Sequence, residues 1–246
     1  MLSLEGRWVF ITGASRGIGS LIALFMARQG CNLVLHSRDR SHTRPILHQL
    51  KDLGVEACDV EADLANPESV ELMLDEIEAL GMDVDVVFNN AGVQVAYRKR
   101  FWETPVDDFT TSFQINLIAP AMICYRLIPK MIQRGFGRVI NITSSIMNEP
   151  EQAGYSASKA ALDKFTRDLG SKLEGGPVSI NLADPGWCST DLGGASAPNL
   201  PQSALPGVAL GAFMSDQKNG RIFRAQEYSG MSLQQAIEKA ESKRPE

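Results

Sequence analysis

The sequence contains few cysteines and no long hydrophobic run. The four cysteines among 246 residues are far apart and form no closely spaced pair: Cys31, Cys58, Cys124 and Cys188. A disulfide framework needs paired cysteines, so this distribution favours reduced thiols in a cytoplasmic protein. The first apolar stretch ends at Thr12, which is too short for a signal sequence, and no later run reaches transmembrane length. We therefore expect no membrane association.

Histidine is also scarce, and charge of one sign is never concentrated. His36, His42 and His48 are the only histidines. Their spacing does not match that of zinc ligands, which argues against a metal centre. None of them is predicted to lie near a candidate serine, which argues against a Ser-His-Asp hydrolase. The net charge of −5 arises from 24 basic and 29 acidic residues that are interleaved. Nucleic acid is not expected as a partner, because no basic block could neutralise a row of phosphates.

Short apolar runs alternate with amphipathic stretches of helical length. The predicted strands are 9–11, 33–35, 84–88, 139–142, 178–182 and 221–223, and the predicted helices are 18–29, 41–53, 67–80, 107–134, 154–173, 203–214 and 232–243. Such alternation predicts an α/β fold with a doubly wound parallel sheet in a three-layer αβα sandwich. Because no linker divides the chain, we expect a single domain over 1–246.

Two segments outside this alternation have expected roles. The segment 193–207 is rich in glycine, alanine and proline and reads as an irregular loop. Since it follows a strand, we expect 191–207 to border a substrate pocket. Residues 228–246 form a C-terminal extension that could pack on the core, cover the pocket or join a partner.

A glycine-rich turn lies between the first strand and the first helix, where residues 12–19 read TGASRGIG. Glycines permit a tight turn and close approach of a pyrophosphate, and the helix N-terminus supplies free N–H groups for the anion. This placement predicts a Rossmann-type dinucleotide site; the alternative is a connection that binds nothing. The candidate contacts are Gly13, Ser15, Arg16, Gly17, Ile18 and Gly19.

The end of the second strand indicates which dinucleotide binds. An acidic residue there would hold the ribose 2′-hydroxyl of NAD, but this strand ends in Ser37 and Arg38, and Asp39 comes one position too late. Arg38 and Arg16 together suit the 2′-phosphate of NADP, because a guanidinium matches phosphate oxygens. NADP(H) is therefore favoured over NAD(H), unless both arginines are merely solvated surface residues.

Tyr155 and Lys159 are four residues apart at the start of a predicted helix, so their side chains share one face. A cation near a phenol favours phenolate and lowers the phenol pKa toward the range where proton transfer is efficient. An incidental surface pair would have the same spacing, so the catalytic interpretation of this pair depends on the motifs around it.

Those motifs follow in order along the chain: residues 12–19, the NAAG stretch at 89–92, Asn116, Ser144, Tyr155 and Lys159. From about residue 4 to residue 224 the sequence resembles the classical short-chain dehydrogenase/reductase family. Residues 185–190, reading PGWCST, are similar to the segment that lies beside the nicotinamide in that family.

The resemblance implies a catalytic tetrad of Asn116, Ser144, Tyr155 and Lys159. Ser144 would hydrogen-bond the substrate oxygen, Tyr155 would give it a proton, Lys159 would bind the ribose and activate Tyr155, and Asn116 would hold a water. Asn89 would stiffen the central strand or touch the cofactor. Further implied cofactor contacts are Asp63, Leu64, Asn90, Ala91, Gly92, Pro185, Gly186 and Thr190. A homodimer or homotetramer would form through the helices at 107–134 and 154–173.

Two points stay open. Only ten residues separate Ser144 from Tyr155, about two fewer than is common in the family, so Ser145 is an alternative to Ser144. The sequence is interpreted as an NADP(H)-dependent oxidoreductase that interconverts a small-molecule carbonyl and an alcohol, like a carbonyl or 3-oxoacyl reductase. A non-catalytic NADP-sensing or scaffolding protein on the same fold is the alternative, because fold alone does not fix function.

Overall fold

A seven-stranded sheet forms the centre of the molecule in this computed structural model, which describes residues 2–242. All strand pairs are parallel, in the order β3-β2-β1-β4-β5-β6-β7. The strands are β1 (Trp8–Ile11), β2 (Asn32–Ser37), β3 (Ala57–Glu61), β4 (Val84–Asn89), β5 (Gly137–Ile142), β6 (Val178–Asp184) and β7 (Ile222–Arg224). The order reverses direction between β1 and β4, and a crevice for a ligand opens at the carboxyl ends of strands at such a point.

Helices cover both faces of the sheet. They are α1 (Gly17–Arg28), α2 (Arg44–Lys51), α3 (Pro67–Ala79), α4 (Val106–Phe113), α5 (Ala119–Arg134), α6 (Ala153–Leu173), α7 (Leu210–Phe213) and α8 (Leu233–Ser242). One buried cluster joins α1, α2, α7 and α8 to the sheet, and a second joins α3, α5 and the end of α6 to its other face. The predicted Rossmann-type, three-layer αβα fold in a single domain is confirmed.

The alternation of side chains along β1 explains why its sequence is apolar throughout. Val9 and Ile11 belong to the first cluster, whereas Phe10 belongs to the second, and all three are fully buried. A strand covered on both faces has no solvent side, so it shows a continuous apolar run instead of an alternating one. Ile11 at its end pairs with Leu35 of β2 and Phe88 of β4.

β3 is absent from the predicted strands, and two of the predicted helices differ from those in the structure. β3 is an edge strand that pairs only with β2, and its polar, half-exposed residues give no apolar run. The predicted helix 203–214 is instead the 3₁₀ turns Pro201–Ala204 and Gly207–Ala209 followed by the short α7, because Pro206 supplies no N–H to a longer helix. The predicted helix 41–53 begins as a 3₁₀ turn at Arg40–His42, and residue 243 of the last predicted helix lies outside the described residues.

The predicted helix 107–134 is one helical run from Val106 to Arg134 that contains a π-helical turn at Gln114–Ile118. At 29 residues it is long and apolar enough to cross a membrane by length and composition, so the expectation that no segment reaches this length is wrong. In the fold, α4 packs against α6, and α5 packs against α3, β4 and β5. The apolar side of α5 therefore belongs to the core.

His36 connects three parts of the sheet's carboxyl edge from a buried position in β2. Its Nδ1 accepts a hydrogen bond from the Gly13 N–H at 3.2 Å, which leaves Nε2 to donate to the Ala62 oxygen at 3.0 Å. Because the imidazole is almost fully buried, its pKa is lowered to about 4. The neutral ring thus fixes the glycine turn against β2 and the end of β3.

This histidine makes stability depend on pH. Its folded pKa of about 4 lies below the ordinary value of 6.5, so the unfolded chain takes up a proton first and stability is lost as pH falls from 6.5 toward 4. We expect His36 to lower the free energy of unfolding by roughly 2 kcal/mol when the pH falls from 7 to 4.5. Urea unfolding at both pH values measures it, with His36→Gln expected to show a smaller loss than the wild type. His48→Gln, at an exposed histidine of α2, is the control and should match the wild type.

Candidate active site

The glycine turn packs directly on the loop after β4. Gly13 has φ +65°, and a Cβ there would lie 2.9 Å from the Ala91 Cα. A Cβ on Gly19 would lie 2.1 Å from the Gly13 oxygen. Real side chains never approach so closely, so these two positions accept only glycine if the turn keeps its shape.

Asn90 and Thr12 hold this turn in place. The Asn90 Nδ2 donates to the backbone oxygens of Thr12 and Gly13 at 2.9 and 3.2 Å. In return the Thr12 Oγ1 accepts from the backbone N–H groups of Asn90 and Ala91, each at 3.0 Å. Asn89 lies deeper, where its Nδ2 donates to the Asn141 Oδ1 at 2.8 Å and links β4 to β5.

The first turn of α1 has free donors and no negative charge. Arg16 occupies the N-cap without a side-chain capping bond, and the first turn carries no acidic residue. An anion at this end is stabilised by the free N–H groups and the helix dipole. Gly13, Ser15, Gly17, Ile18 and Gly19 lie around this helix end, and the absence of an acidic side chain from the first turn suits the pyrophosphate of the nicotinamide dinucleotide that the sequence predicts.

Arg16 and Arg38 are both exposed, but they have different neighbours. The Arg38 side chain makes no hydrogen bond or ion pair with any residue from 2 to 242, whereas the Arg16 Nε lies 3.1 Å from the Asp191 Oδ2. Ser37 is nearly buried, and its hydroxyl donates to the Asp39 oxygen at 2.7 Å. Of the residues predicted for the ribose phosphate, Arg38 is thus the one without a partner inside the described chain.

Asp63 and Leu64, predicted to contact adenine, follow β3 at the same edge of the sheet. Asp63 is exposed, and its Oδ1 accepts from the Ala65 N–H at 3.0 Å. Leu64 is buried in the second cluster. The Asp63 side chain is therefore accessible at this edge, whereas the Leu64 side chain packs in the core.

Tyr155 lies near the start of α6, almost fully buried, and Ser144 is the serine that interacts with its hydroxyl. Ser145 points elsewhere: its N–H donates to the Asp184 Oδ2 at 3.1 Å, and its hydroxyl bonds the same oxygen. The fold therefore brings Ser144, and not Ser145, to Tyr155.

Burial dominates the pKa of Tyr155 and raises it; the Ser144 bond acts in the opposite direction, and the Asp184 carboxylate raises the pKa further. The sequence led us to expect a pKa lowered by Lys159. In this structure the direction is opposite, because desolvation of the phenolate is the largest effect.

Lys159 lies one helical turn beyond Tyr155 and is buried. Its Nζ donates to the Ile142 oxygen at 2.7 Å. Burial lowers its pKa to about 8, and the carboxylates of Asp163 and Asp184 oppose that shift. A Cβ placed on Gly92 would lie 3.5 Å from this Nζ and 3.3 Å from the Asn116 Oδ1, so Gly92 keeps the space beside both side chains open.

Asn116 is fully buried in the π-helical turn between α4 and α5. Its Oδ1 accepts from the Val93 N–H at 2.9 Å, and its Nδ2 donates to the Val93 oxygen at 3.0 Å and to the Ser158 Oγ at 2.9 Å. Asn116 therefore ties the loop after β4 to α6. Turns of this type frequently occur at functional sites.

The segment after β6 closes the other side of the crevice. The Gly186 N–H donates to the Asp184 Oδ1 at 2.8 Å, and the Pro185 oxygen accepts from the Gln226 Nε2 at 2.7 Å. The Thr190 Cγ2 lies 3.5 Å from the Cβ position of Gly17, so this segment reaches the glycine turn. The structure thus brings Pro185, Gly186 and Thr190 to the crevice.

Sequence reasoning overlooked Asp184 and Gln226. An aspartate at the end of an otherwise apolar strand is a usable signal for Asp184, because a buried carboxylate needs partners. Gln226 lies 41 residues from Pro185 and gives no local signal.

Comparison with known proteins agrees with this geometry. The sequence model of the short chain dehydrogenase family matches residues 7–200 of this chain. A short-chain type dehydrogenase/reductase of Picea abies is 36% identical over 199 residues, which are 77% of this chain and 73% of that relative. A 3-oxoacyl-(acyl-carrier-protein) reductase of Aquifex aeolicus is 28% identical over 90% of each chain.

Among solved structures, a metagenomic short-chain oxidoreductase in complex with NADP superimposes with a TM-score of 0.77 at 30% identity, over 88% of this chain and 95% of that one. The matched sequence includes the glycine turn, Asn116 and the Tyr155–Lys159 pair. The chain belongs to the short-chain dehydrogenase/reductase family of oxidoreductases.

Proposed function

We propose that the protein interconverts a carbonyl compound and a secondary alcohol with NADP(H), and that Tyr155 transfers the proton. The observation that carries this proposal is the buried Tyr155 phenol, which interacts with Ser144 and has Lys159 one turn away on the same helix. A phenol at this place meets the geometric requirement for a general acid, since it lies beside a second donor for the same substrate oxygen.

The bound cofactor supplies or accepts the hydride, and the protein holds the reactants and moves the proton. The N–H groups of the glycine turn would bind the pyrophosphate, and Arg16 and Arg38 would bind the 2′-phosphate. Asp63 and the backbone of Leu64 would contact the adenine, and Ala91 and Gly92 would leave room for the ribose. Pro185, Gly186 and Thr190 would lie beside the nicotinamide, with Thr190 binding its carboxamide.

In the reducing direction Ser144 donates a hydrogen bond to the carbonyl oxygen, and Tyr155 donates the proton that converts it to a hydroxyl. The raised pKa of Tyr155 keeps the phenol protonated and ready to donate. Lys159 would bind the ribose hydroxyls, and its ammonium would stabilise the phenolate that is left. Asn116, through its bonds to Val93 and Ser158, holds the loop beside Lys159 and positions a water that returns the proton.

The substrate is proposed to be a largely apolar ketone or a 3-oxoacyl thioester. Met147, Trp187 and Leu192 lie in the loops after β5 and β6, and all three have exposed side chains. Such a surface suits an apolar substituent next to the carbonyl. The similarity to the 3-oxoacyl-(acyl-carrier-protein) reductase of Aquifex aeolicus supports a thioester.

NADPH oxidation, measured by absorbance with a panel of apolar ketones, aldehydes and 3-oxoacyl thioesters, tests this function. Reduction of at least one carbonyl class is the expected result. Binding of NADPH without reduction of any carbonyl would favour the NADP-sensing alternative instead.

We also propose a homodimer or homotetramer in the cytoplasm. Ile118 and Tyr125 are exposed along the α4–α5 run, and the Tyr125 ring packs edge-on against Phe165 of α6 with centroids 5.8 Å apart. A second copy would cover this apolar surface. The unpaired state of all four cysteines agrees with a reducing compartment.

Tyr155→Phe keeps the ring and removes only the acidic proton. We expect turnover to fall by about 10³-fold or more, because general acid catalysis is lost, while NADPH affinity stays near the wild-type value. The absorbance assay of NADPH oxidation measures turnover, and a titration followed by NADPH fluorescence measures affinity. The same substitution at the exposed Tyr125 is the control and should leave turnover unchanged; retained turnover in Tyr155→Phe would remove the assigned acid.

Arg38→Ala should weaken NADPH binding about 10- to 100-fold and leave NADH binding nearly unchanged, since only NADPH carries the 2′-phosphate that a charge-assisted bond would hold. Fluorescence titration with both cofactors measures this. Arg28→Ala, at the far end of α1, serves as the control. Equal losses for the two cofactors would contradict the NADP preference.

Ser144→Ala should lower kcat by about 10²-fold, because one donor to the developing oxyanion is removed. Ser145→Ala should cost clearly less, since its hydroxyl is bonded to Asp184 and not to Tyr155. Steady-state kinetics on the two variants measure the difference. A larger loss in Ser145→Ala would reverse the assignment.

A further inference from the structure

A buried carboxylate that the proposed chemistry does not use lies at the carboxyl end of β6. Asp184 is the last residue of that strand and is only 8% exposed. Both of its oxygens are engaged. Oδ2 accepts from the N–H and the hydroxyl of Ser145, and Oδ1 accepts from the Gly186 N–H at 2.8 Å.

The two partners of Asp184 belong to opposite walls of the crevice. Ser145 directly follows Ser144, which interacts with Tyr155 on the substrate side. Gly186 belongs to the 185–190 segment, which reaches the glycine turn through Thr190 on the cofactor side. Since a carboxylate group is rigid, its two oxygens hold these two loops at a fixed separation.

We propose that Asp184 is a positioning residue that sets the distance between the Ser144–Tyr155 pair and the 185–190 segment, and so aligns the substrate carbonyl with the nicotinamide. This inference rests on the proposed carbonyl reduction. It assigns no proton transfer to Asp184, because both of its oxygens are occupied by backbone and hydroxyl donors.

The charged and titratable surroundings of Asp184 supply a matched control. Tyr155, Lys159 and Asp163 of α6 and the thiol of Cys188 all interact electrostatically with this carboxylate. Asp163 also acts on Lys159, but its carboxylate bonds Thr143 and interacts with Arg167. Asp163→Asn therefore removes one negative charge near Lys159 without touching the link between the loops.

Asp184→Asn keeps the shape of the side chain but replaces one acceptor oxygen with an NH₂ group. That group can only donate, so it faces either the Ser145 donors or the Gly186 N–H, and the hydrogen bond on that side is lost. Hydrogen exchange of the Ser145 and Gly186 amides, followed by NMR on the full chain, tests the link directly. We expect at least tenfold faster exchange at one of these amides in Asp184→Asn and wild-type exchange in Asp163→Asn.

Kinetics with 4-deuterated NADPH and the best ketone test the consequence for the reaction. In Asp184→Asn we expect kcat to fall 10- to 100-fold and the primary isotope effect to rise, with KM for NADPH within about threefold of wild type. In Asp163→Asn the pH profile should shift while kcat at the optimum stays near wild type. A loss of folded protein alone would lower kcat without changing the isotope effect.

Unchanged amide exchange in Asp184→Asn, or an unchanged isotope effect, would overturn the proposal. Should Asp184→Asn fail to fold, Ser145→Ala removes the hydroxyl bond to the Asp184 Oδ2 and keeps the N–H bond. Faster exchange of the residue 145 amide together with a raised isotope effect then supports the inference, and wild-type values of both reject it. If the wild type reduces no carbonyl, the proposed function fails, and the exchange comparison still decides whether Asp184 joins the two loops.

Discussion

The close approach of the glycine turn to the loop after β4 is the constraint on which the rest of the site depends. Gly13 and Gly19 have no room for a side chain, and Thr12, Asn90 and His36 fix the surrounding backbone. This packing places the N-terminus of α1 at the point where the strand order reverses. At such a reversal the carboxyl ends of the strands leave a crevice for a ligand, and the N-terminus of α1 faces it.

On the far side of this crevice, burial and polar contacts have opposite effects on the pKa values of the catalytic side chains. Desolvation raises the pKa of Tyr155 and lowers that of Lys159, whereas Ser144 and the carboxylates of Asp163 and Asp184 oppose one shift or the other. Each group therefore depends on partners from the ends of β5 and β6 and from α6 itself. A site of this kind retains both a proton donor and a cation in a nearly dry environment.

Most of the fold could be read from the sequence, because strands buried on both faces show continuous apolar runs. The failures have physical causes. β3 lies at the sheet edge and keeps polar side chains, and the 203–214 segment is divided by Pro206 despite its apolar composition. The long apolar run from Val106 to Arg134 is explained by packing against α3, α6 and the sheet.

The sequence by itself determined the parts that are local in the chain: the alternation of strands and helices, the glycine turn, and the spacing of Tyr155 and Lys159 on one helical face. It left Ser144 and Ser145 undecided, because adjacent residues after a strand point in different directions and their neighbours come from distant elements. Tertiary structure decided this, since α6 brings the Tyr155 hydroxyl to Ser144 and the end of β6 brings the Asp184 carboxylate to Ser145. Contacts between strand ends 39 residues apart leave no periodic pattern in the sequence, so only the assembled sheet reveals them.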